Sequence, residues 1–104
     1  MEKEIKKKLA SNWFKLLQNI ICGDIEKIEN NKTKFKSKKW NRSQIKDEGG
    51  GEFRILKNGK IFEKVGVNFS EVYGKFSKKI KKNIPGANKN PNFWASGISV
   101  VMHM

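Results

Sequence analysis

Ser99 and His103 are the two side chains whose types and spacing could do chemistry together, because a serine beside a histidine can act as nucleophile and base. Both lie in the stretch from Phe93 to His103, which alternates as a β-strand does. Residues four apart on a strand share a face but lie about 13 Å apart, too far for direct proton transfer. The spacing suits two contacts along one flat ligand. The alternative is that Ser99 is a small residue in a packed sheet and His103 a terminal residue without a role.

Other residues that bind metals or act as nucleophiles are scarce. Cys22 and His103 are the only cysteine and histidine in the 104 residues. The sequence therefore excludes an internal disulfide, and it excludes a self-contained structural zinc site, which needs four ligands. Cys22 borders the apolar side of the N-terminal segment, so we interpret it as a small helix residue and not as a nucleophile.

The formal charge of +13 indicates an acidic partner: nucleic acid, an anionic membrane surface or a polyanionic small molecule. Arg42 and Arg54 are the only arginines, whereas dedicated nucleic-acid modules rely on arginine to grip phosphates and guanine edges. We therefore expect mostly solvated lysines and no specific nucleic-acid partner. No apolar run approaches the ~18 residues of a membrane span, and the charged N-terminus is no secretory signal. We expect a cytoplasmic protein.

The N-terminal half contains one clear periodic element. Apolar residues recur at steps of three and four over residues 2–29, which predicts an amphipathic helix. Its apolar face comprises Ile5, Leu9, Trp13, Leu16, Leu17, Ile20, Ile21, Ile25 and Ile28. Residues 31–48 are polar and lysine-rich, which predicts an irregular linker anchored by Phe35 and Trp40. Gly49-Gly50-Gly51 then allows the backbone either to bend freely or to approach another group closely, and a flexible turn is the simpler interpretation.

Residues 53–65 predict a β-hairpin, because Asn58-Gly59 separates two apolar-rich runs. A two-residue type I′ turn sets a register in which facing residue numbers sum to 117. The predicted facing pairs are Leu56 with Ile61, Ile55 with Phe62, and Arg54 with Glu63. The second strand is expected to continue to Phe69, with a bulge or close contact at Gly66.

A second, shorter helix is predicted after the hairpin. Ser70 is a favourable N-cap, and apolar residues follow at steps of four as far as Ile80. Pro85-Gly86 would end this helix, and a polar loop would lead to the final strand.

Several segments, in this order and spacing, together resemble the oxygen-dependent coproporphyrinogen III oxidases of haem biosynthesis. They are Trp40-Asn41-Arg42, Gly49-Gly50-Gly51 with Arg54-Ile55-Leu56, Asn58-Gly59, Phe62 to Ser70, Val72-Tyr73-Gly74, and Gly97 to His103. The most specific are the FEKVGVNFS run at 62–70 and the closing strand from Gly97 to His103. The resemblance covers nearly the whole chain but only about the first third of a full-length member.

The resemblance implies an α+β fold, in which part of a large antiparallel β-sheet is flanked by helices and the enzyme is a homodimer. Residues 1–104 would form a single, incomplete domain of it. These enzymes use molecular oxygen to decarboxylate two propionates of coproporphyrinogen III oxidatively, which gives the vinyl groups of protoporphyrinogen IX. The resemblance implies no organic cofactor; oxygen is the co-substrate, and a divalent metal has been proposed and disputed for the family.

By position, Ser99 matches the family's substrate-contacting serine and His103 matches a histidine assigned as a metal ligand. The family's catalytic acid and base residues follow this strand, beyond Met104, so no catalytic residue is assigned here. Met104 replaces a usual proline, and Glu52-Phe53 replaces the Arg-Ser or Arg-Thr pair of many bacterial members. We expect a truncated or split enzyme, inactive unless a second polypeptide supplies the rest. Its basic surface would favour capture of the tetra-anionic substrate.

Two other hypotheses come from different classes. The chain could be a nonenzymatic basic module for RNA or DNA, with Phe35 and Trp40 as stacking platforms. That hypothesis predicts aromatic rings exposed on a basic face and affinity that falls steeply with salt. The chain could also be the inactive remnant of a decayed gene, which predicts poor folding and no bound ligand.

Overall fold

The computed structural model describes residues 2–77, 82–86 and 90–104, and in these ranges the chain forms one helix and four strands. They are α1 (Glu2–Ile28), β1 (Lys36–Asn41), β2 (Gly49–Lys57), β3 (Lys64–Lys75) and β4 (Asn92–His103). The strands pair antiparallel in the order β1-β2-β3-β4, so each lies beside its neighbour in sequence. α1 packs on β3 and β4. The predicted α+β class is confirmed.

The two faces of the sheet differ in what covers them. Ser96 and Ile98 of β4 face α1: the Ser11 hydroxyl donates to that of Ser96 at 3.1 Å, and Ile98 packs against the core. Alternate residues point the other way, to a face that no described helix or strand covers. We call this the open face; it carries Trp40, Phe53, Gly66, Asn68, Ser70, Gly97, Ser99, Val101 and His103.

A small core lies between α1 and the sheet. Its buried members are Cys22, Ile25, Leu56, Phe62, Val65 and Val67, with Ile21, Phe35 and Ile98 packed against them. Polar contacts add to this layer, because the Gln18 side-chain amide donates to the carbonyls of Glu52 at 2.8 Å and Val67 at 3.1 Å. Two strand carbonyls are thereby bound by one helix residue.

The predicted N-terminal helix is confirmed, but its apolar face is largely turned away from the sheet. The buried helix residues are Ser11, Gln18, Cys22 and Ile25. Six members of the predicted apolar face are instead 47–63% exposed: Ile5, Leu9, Trp13, Leu16, Ile20 and Ile28. In the described part of the chain, no helix is long and apolar enough to cross a membrane.

The predicted hairpin exists, but its turn and register are different. Asn58 has the expected positive φ of 58°, yet its N–H donates to the carbonyl of Glu63 at 2.8 Å, so four residues separate them. Leu56 faces Val65, and facing numbers sum to 121. The two-residue turn and the predicted pairs Leu56–Ile61, Ile55–Phe62 and Arg54–Glu63 are therefore wrong.

Tertiary contacts account for the longer turn. The carboxylate of Glu29, just after α1, accepts the N–H of Ile61 at 2.6 Å, and the Phe62 side chain is buried in the core. Gly59 lies against the same carboxylate, where a Cβ would collide with it. The loop is thus shaped by the end of the helix and not by the Asn-Gly pair alone.

The predicted second helix is wrong where the structure describes it. Residues 70–75 continue β3 to Lys75, with Ser70 opposite Gly97 and Val72 opposite Ala95. Residues 70–75 pair with β4, and residues 70–72 also pair with β2. These hydrogen bonds satisfy backbone groups of the segment, which outweighs a short helical period. Ile80 lies outside the described residues.

The linker and the flexible turn predicted before the hairpin are also wrong in part. Residues 36–41 form β1, although Phe35 does anchor the segment to the core. The three glycines begin β2 and lie in close contact with the backbones of β1 and β3. A Cβ on Gly50 would collide with the carbonyl of Trp40, and one on Gly51 with that of Phe69. Close strand approach, and not flexibility, requires glycine here.

Candidate functional site

Ser99 and His103 lie on β4 and share the open face, as the strand pattern predicts. Ser99 is opposite Asn68 and His103 is opposite Lys64 across the β3–β4 pair. Both side chains are exposed, and α1 lies on the other side of the sheet. Neither is a small packed residue of the interior, which was the alternative interpretation of Ser99. Their roles in binding substrate or metal stay predictions.

Few side chains protrude from the sheet around Ser99, because neighbouring positions on three strands are glycine or serine. Gly51, Ser70 and Gly97 form one cross-strand row on the open face. A Cβ built on Gly97 would meet no atom within 4 Å, so the space above this residue is free of the described chain. Ser70 and Gly97 leave a flat backbone surface beside Ser99, whereas Gly51 lies under the Trp40 ring.

Two aromatic rings border this flat surface. The Trp40 ring lies on Gly51, where a Cβ would come within 2.9 Å of its Cζ2 atom. The Phe53 ring lies on Gly66, with 3.3 Å between its Cζ atom and a Cβ built there. Of the bulge or close contact expected at Gly66, the close contact is present. The bulge is not, because Gly66 stays regularly paired with the strands on both sides of β3. Flat apolar rings beside a low polar surface suit a flat, partly apolar ligand.

Asn68 is a site candidate that sequence analysis did not single out. Its side-chain carbonyl accepts the Trp40 indole N–H at 3.0 Å, and it stands opposite Ser99. The bond to Trp40 orients the amide, and its NH₂ group has no protein partner among the described residues. An amide and a hydroxyl side by side can donate to one carboxylate. Asn68 lies in the FEKVGVNFS segment, but only the strand register reveals its place beside Ser99.

The described residues do not make up a metal site at His103. They contain no group of three or more His, Cys, Asp or Glu side chains placed to hold an ion. The residue opposite His103 is Lys64, whose positive charge opposes a cation. A metal at His103 would need ligands from outside these ranges.

A polar cluster lies on the helix side of the sheet. The Arg54 Nε atom donates to Glu52 Oε2 at 2.5 Å, and the Ser37 hydroxyl donates to the same oxygen at 2.7 Å. The Ser37 hydrogen bond and then Arg54 hold the pKa of Glu52 below its ordinary value. Burial raises the pKa of the Cys22 thiol despite the nearby Arg54. Cys22 is therefore a protonated, structural thiol, as interpreted from the sequence.

The lysines and aromatics nearest the helix belong to the packing between helix and sheet. A cleft of about 770 Å³ separates the N-terminal part of α1 from the ends of β3 and β4. There Lys7 lies 5.9 Å from the Trp94 ring, and Lys15 lies 5.5 Å from the Phe69 ring. Phe35 packs against the core, so this proposed nucleic-acid stacking platform is engaged within the chain.

Comparison with known proteins agrees with the motifs. The family described as "Coproporphyrinogen III oxidase" matches residues 9–104. The chain is 42% identical over 102 residues to the oxygen-dependent coproporphyrinogen-III oxidase of Rickettsia bellii (strain RML369-C), covering 94% of this chain and 37% of that protein. Proteins of the same name from Rickettsia felis and Rickettsia prowazekii are 42% identical over 106 and 102 residues, with the same coverage.

The chain therefore spans about 37% of the length of these curated relatives. The motif order, the α+β architecture and the match over residues 9–104 agree with one another. This chain belongs to the coproporphyrinogen III oxidase family.

Proposed function

We propose that this chain supplies the floor of the tetrapyrrole-binding cleft of an oxygen-dependent coproporphyrinogen III oxidase. The observation that supports this most directly is the position of Ser99 on a flat, glycine-rich face that the described chain leaves uncovered. A tetrapyrrole is a broad macrocycle, and such a ligand needs a surface without protruding side chains. The rings of Trp40 and Phe53 would then contact its apolar edge.

The ligand's carboxylates fit the polar groups of the same face. Ser99 and Asn68 would donate hydrogen bonds to one propionate, which fixes its position relative to the sheet. The net charge of +13 would raise the local concentration of a tetra-anion and speed its capture. These residues bind and orient; none of them has the geometry of a proton-transfer pair.

The proposed reaction converts each of two propionates to a vinyl group. The carboxylate leaves as carbon dioxide, and the methylene attached to the pyrrole ring gives up a hydrogen with two electrons to oxygen. With one proton from solvent, each cycle forms one vinyl group, one carbon dioxide and one hydrogen peroxide. Oxygen is the co-substrate and oxidant. No step in this proposal is assigned to a metal at His103.

We propose that the cleft's walls and the catalytic acid and base come from a polypeptide that corresponds to the rest of the relatives' length. The radius of gyration of this chain is 17.0 Å, whereas a compact domain of about 100 residues has about 13 Å. The sheet thus forms an extended slab with one covered face. A second polypeptide or a continuation of this one would complete the cleft, and a cytoplasmic location stays a prediction of the sequence.

Binding of coproporphyrin III, the fluorescent oxidised form of the substrate, tests the proposed floor. We expect Ser99→Ala to weaken binding about 5- to 10-fold, because one hydrogen bond to a charged group is lost. Ser37→Ala is the matched control, since Ser37 is an exposed serine on the helix side of the sheet. The titration is made at about 0.3 M salt to suppress nonspecific attraction. Equal affinity of Ser99→Ala and the wild type would refute the assignment.

A further inference from the structure

The open face carries a second group of polar side chains, at a distance from Ser99. We call this group the lysine border; it consists of the exposed residues Lys36, Lys38, Lys57 and Lys64. Their strand neighbours Ser37, Leu56 and Val65 point to the helix side, where Ser37 bonds to Glu52 and the other two lie in the core. Because side chains alternate along a strand, the four lysines point away from α1.

Charge is segregated between the two faces of the sheet. Glu52 and Glu71 are the only acidic residues within the four strands. Both lie on the helix side, since Glu52 bonds to Ser37 and Glu71 is opposite Ser96, which contacts α1. None of the ion pairs among the described residues includes a lysine of the border. The lysine border therefore gives this part of the open face a positive charge.

The hairpin end of the lysine border places like charges side by side. Lys57 is directly opposite Lys64 across β2 and β3, and His103 is opposite Lys64 on β4. Like charges directly opposite each other on adjacent strands destabilise a sheet. An arrangement that destabilises the free chain is typical of a functional site, where a ligand offsets the loss. A carboxylate above this row would be attracted by both ammonium groups.

The distance from Ser99 to the lysine border suits a large ligand. One cross-strand row consists of Ser99, Asn68, Phe53 and Lys38. Its two ends are three strand spacings apart, about 14 Å between Cα atoms. Lys64 lies one strand and four residues from Ser99, which is also about 14 Å. The residues between these positions are uncharged: Phe53, Ile55, Gly66 and Val101.

This pattern matches the chemistry of a tetrapyrrole, in which propionates project from the rim of an apolar macrocycle. We propose that the lysine border is a second carboxylate-binding site, which holds propionates that Ser99 and Asn68 do not reach. This inference rests on the proposed function, because it needs a tetrapyrrole on the open face. Each lysine is an exposed point charge that contributes modestly, so the effect comes from their number.

The lysine border distinguishes ligands by their number of carboxylates. With one propionate at Ser99, a porphyrin with four carboxylates has three left for the border, whereas one with two carboxylates has only one left. The proposed reaction removes two carboxylates from the substrate. The lysine border therefore binds the substrate more tightly than the product and favours release of the product.

Fluorescence titration of the full 104-residue chain with coproporphyrin III and mesoporphyrin IX tests this selectivity. Mesoporphyrin IX has the same macrocycle but two carboxylates instead of four. At about 0.15 M salt, Lys38→Gln/Lys64→Gln should weaken binding of coproporphyrin III about 5-fold or more, and binding of mesoporphyrin IX about 2-fold or less.

The matched control is Lys39→Gln/Lys46→Gln, which removes the same charge from two exposed positions outside the lysine border. Lys39 is opposite Glu52 on the helix side, and Lys46 lies in the β1–β2 loop. The control should change both affinities less than about 2-fold, because it alters only the long-range field of the chain.

The outcomes separate this inference from the proposed function. If Ser99→Ala weakens binding of coproporphyrin III but Lys38→Gln/Lys64→Gln behaves like its control, the lysine border is overturned and the floor stands. Equal weakening for both porphyrins would also overturn it, because the number of carboxylates would then not matter. Unfolding at a lower urea concentration than the wild type would assign the lost affinity to the fold and overturn it as well, since removal of Lys64 relieves repulsion by Lys57.

Discussion

Asn68 and Ser99 stand opposite each other on the open face, and the bond from Trp40 fixes the amide of Asn68. Asn68→Asp keeps the acceptor for Trp40 but places a negative charge beside the proposed carboxylate position. We expect it to weaken coproporphyrin III binding about 10-fold or more through like-charge repulsion. Asn41→Asp, an exposed asparagine on the helix side of the sheet, is the matched control. Equal losses in both variants would mean that only the overall charge matters.

Glu29 is a structural residue, because it is only 3% exposed and its carboxylate accepts the Ile61 N–H. Glu29→Ala leaves this donor without its protein partner and should lower the free energy of unfolding by about 1–3 kcal/mol. Glu63→Ala alters an exposed glutamate at the end of the same loop and should change it by less than about 0.5 kcal/mol. Urea unfolding measures both. Similar stabilities of the two variants would show that Glu29 does not hold the loop.

Glu52 makes the stability depend on pH with a definite sign. Its pKa in the folded chain is lowered, first by the Ser37 hydrogen bond and then by Arg54. Because the pKa of Glu52 is lower in the folded chain than in the unfolded chain, its ionised form stabilises the fold at pH values above the ordinary carboxyl pKa. This contribution is lost as the pH falls through the pKa that Glu52 has in the folded chain. Ser37→Ala should therefore destabilise the chain at pH 7 and have a smaller effect near about pH 3. Urea unfolding measures the change in the free energy of unfolding. If Ser37→Ala lowered it equally at both pH values, the Ser37 hydrogen bond would not be the cause of the pH dependence.

At the scale of elements, the start of β2 is held by close contact with β1 and β3. Gly50→Ala would drive a methyl group into the Trp40 carbonyl, so β1 and β2 would have to separate. We expect a loss of about 2 kcal/mol or more in the free energy of unfolding. Gly97→Ala introduces the same methyl group where no atom lies within 4 Å, and should change stability little. Equal effects of the two changes would rule out the steric cause.

The sequence patterns predict an element well when its cause is local. The long period of α1 and the alternation of β4 are confirmed, and so is the positive φ of Asn58. Patterns fail where a residue distant in the sequence determines the local structure. Glu29 and the buried Phe62 lengthen the hairpin loop, and pairing with β4 keeps residues 70–75 in β3.

The candidate site shows the same division. Alternation along β4 places Ser99 and His103 on one face, but it does not say which face α1 covers. Asn68 enters the site only through the β3–β4 register, and Trp40 only through its bond to Asn68. The outward orientation of the apolar side of α1 could not be predicted either, because Gln18 on the opposite side of the helix donates hydrogen bonds to two strand carbonyls.

At the scale of the whole molecule, the described part of the chain leaves three surfaces uncovered. They are the open face, the exposed apolar side of α1 and the outer edge of β4, which pairs with β3 but with no other strand in the described ranges. The buried core between α1 and the sheet is small by comparison. We expect the porphyrin site to need further polypeptide on the open face and along this edge.

Reconstitution of turnover tests the central claim most directly. The chain is mixed with the part of the Rickettsia bellii relative that lies beyond the matched region, and coproporphyrinogen III is supplied in air. We predict protoporphyrinogen formation, detected as protoporphyrin fluorescence, from the pair but from neither part alone. Ser99→Ala in this chain should reduce the rate, and Ser37→Ala should not. Turnover by the 104-residue chain alone, or a pair that is indifferent to Ser99→Ala, would contradict the account.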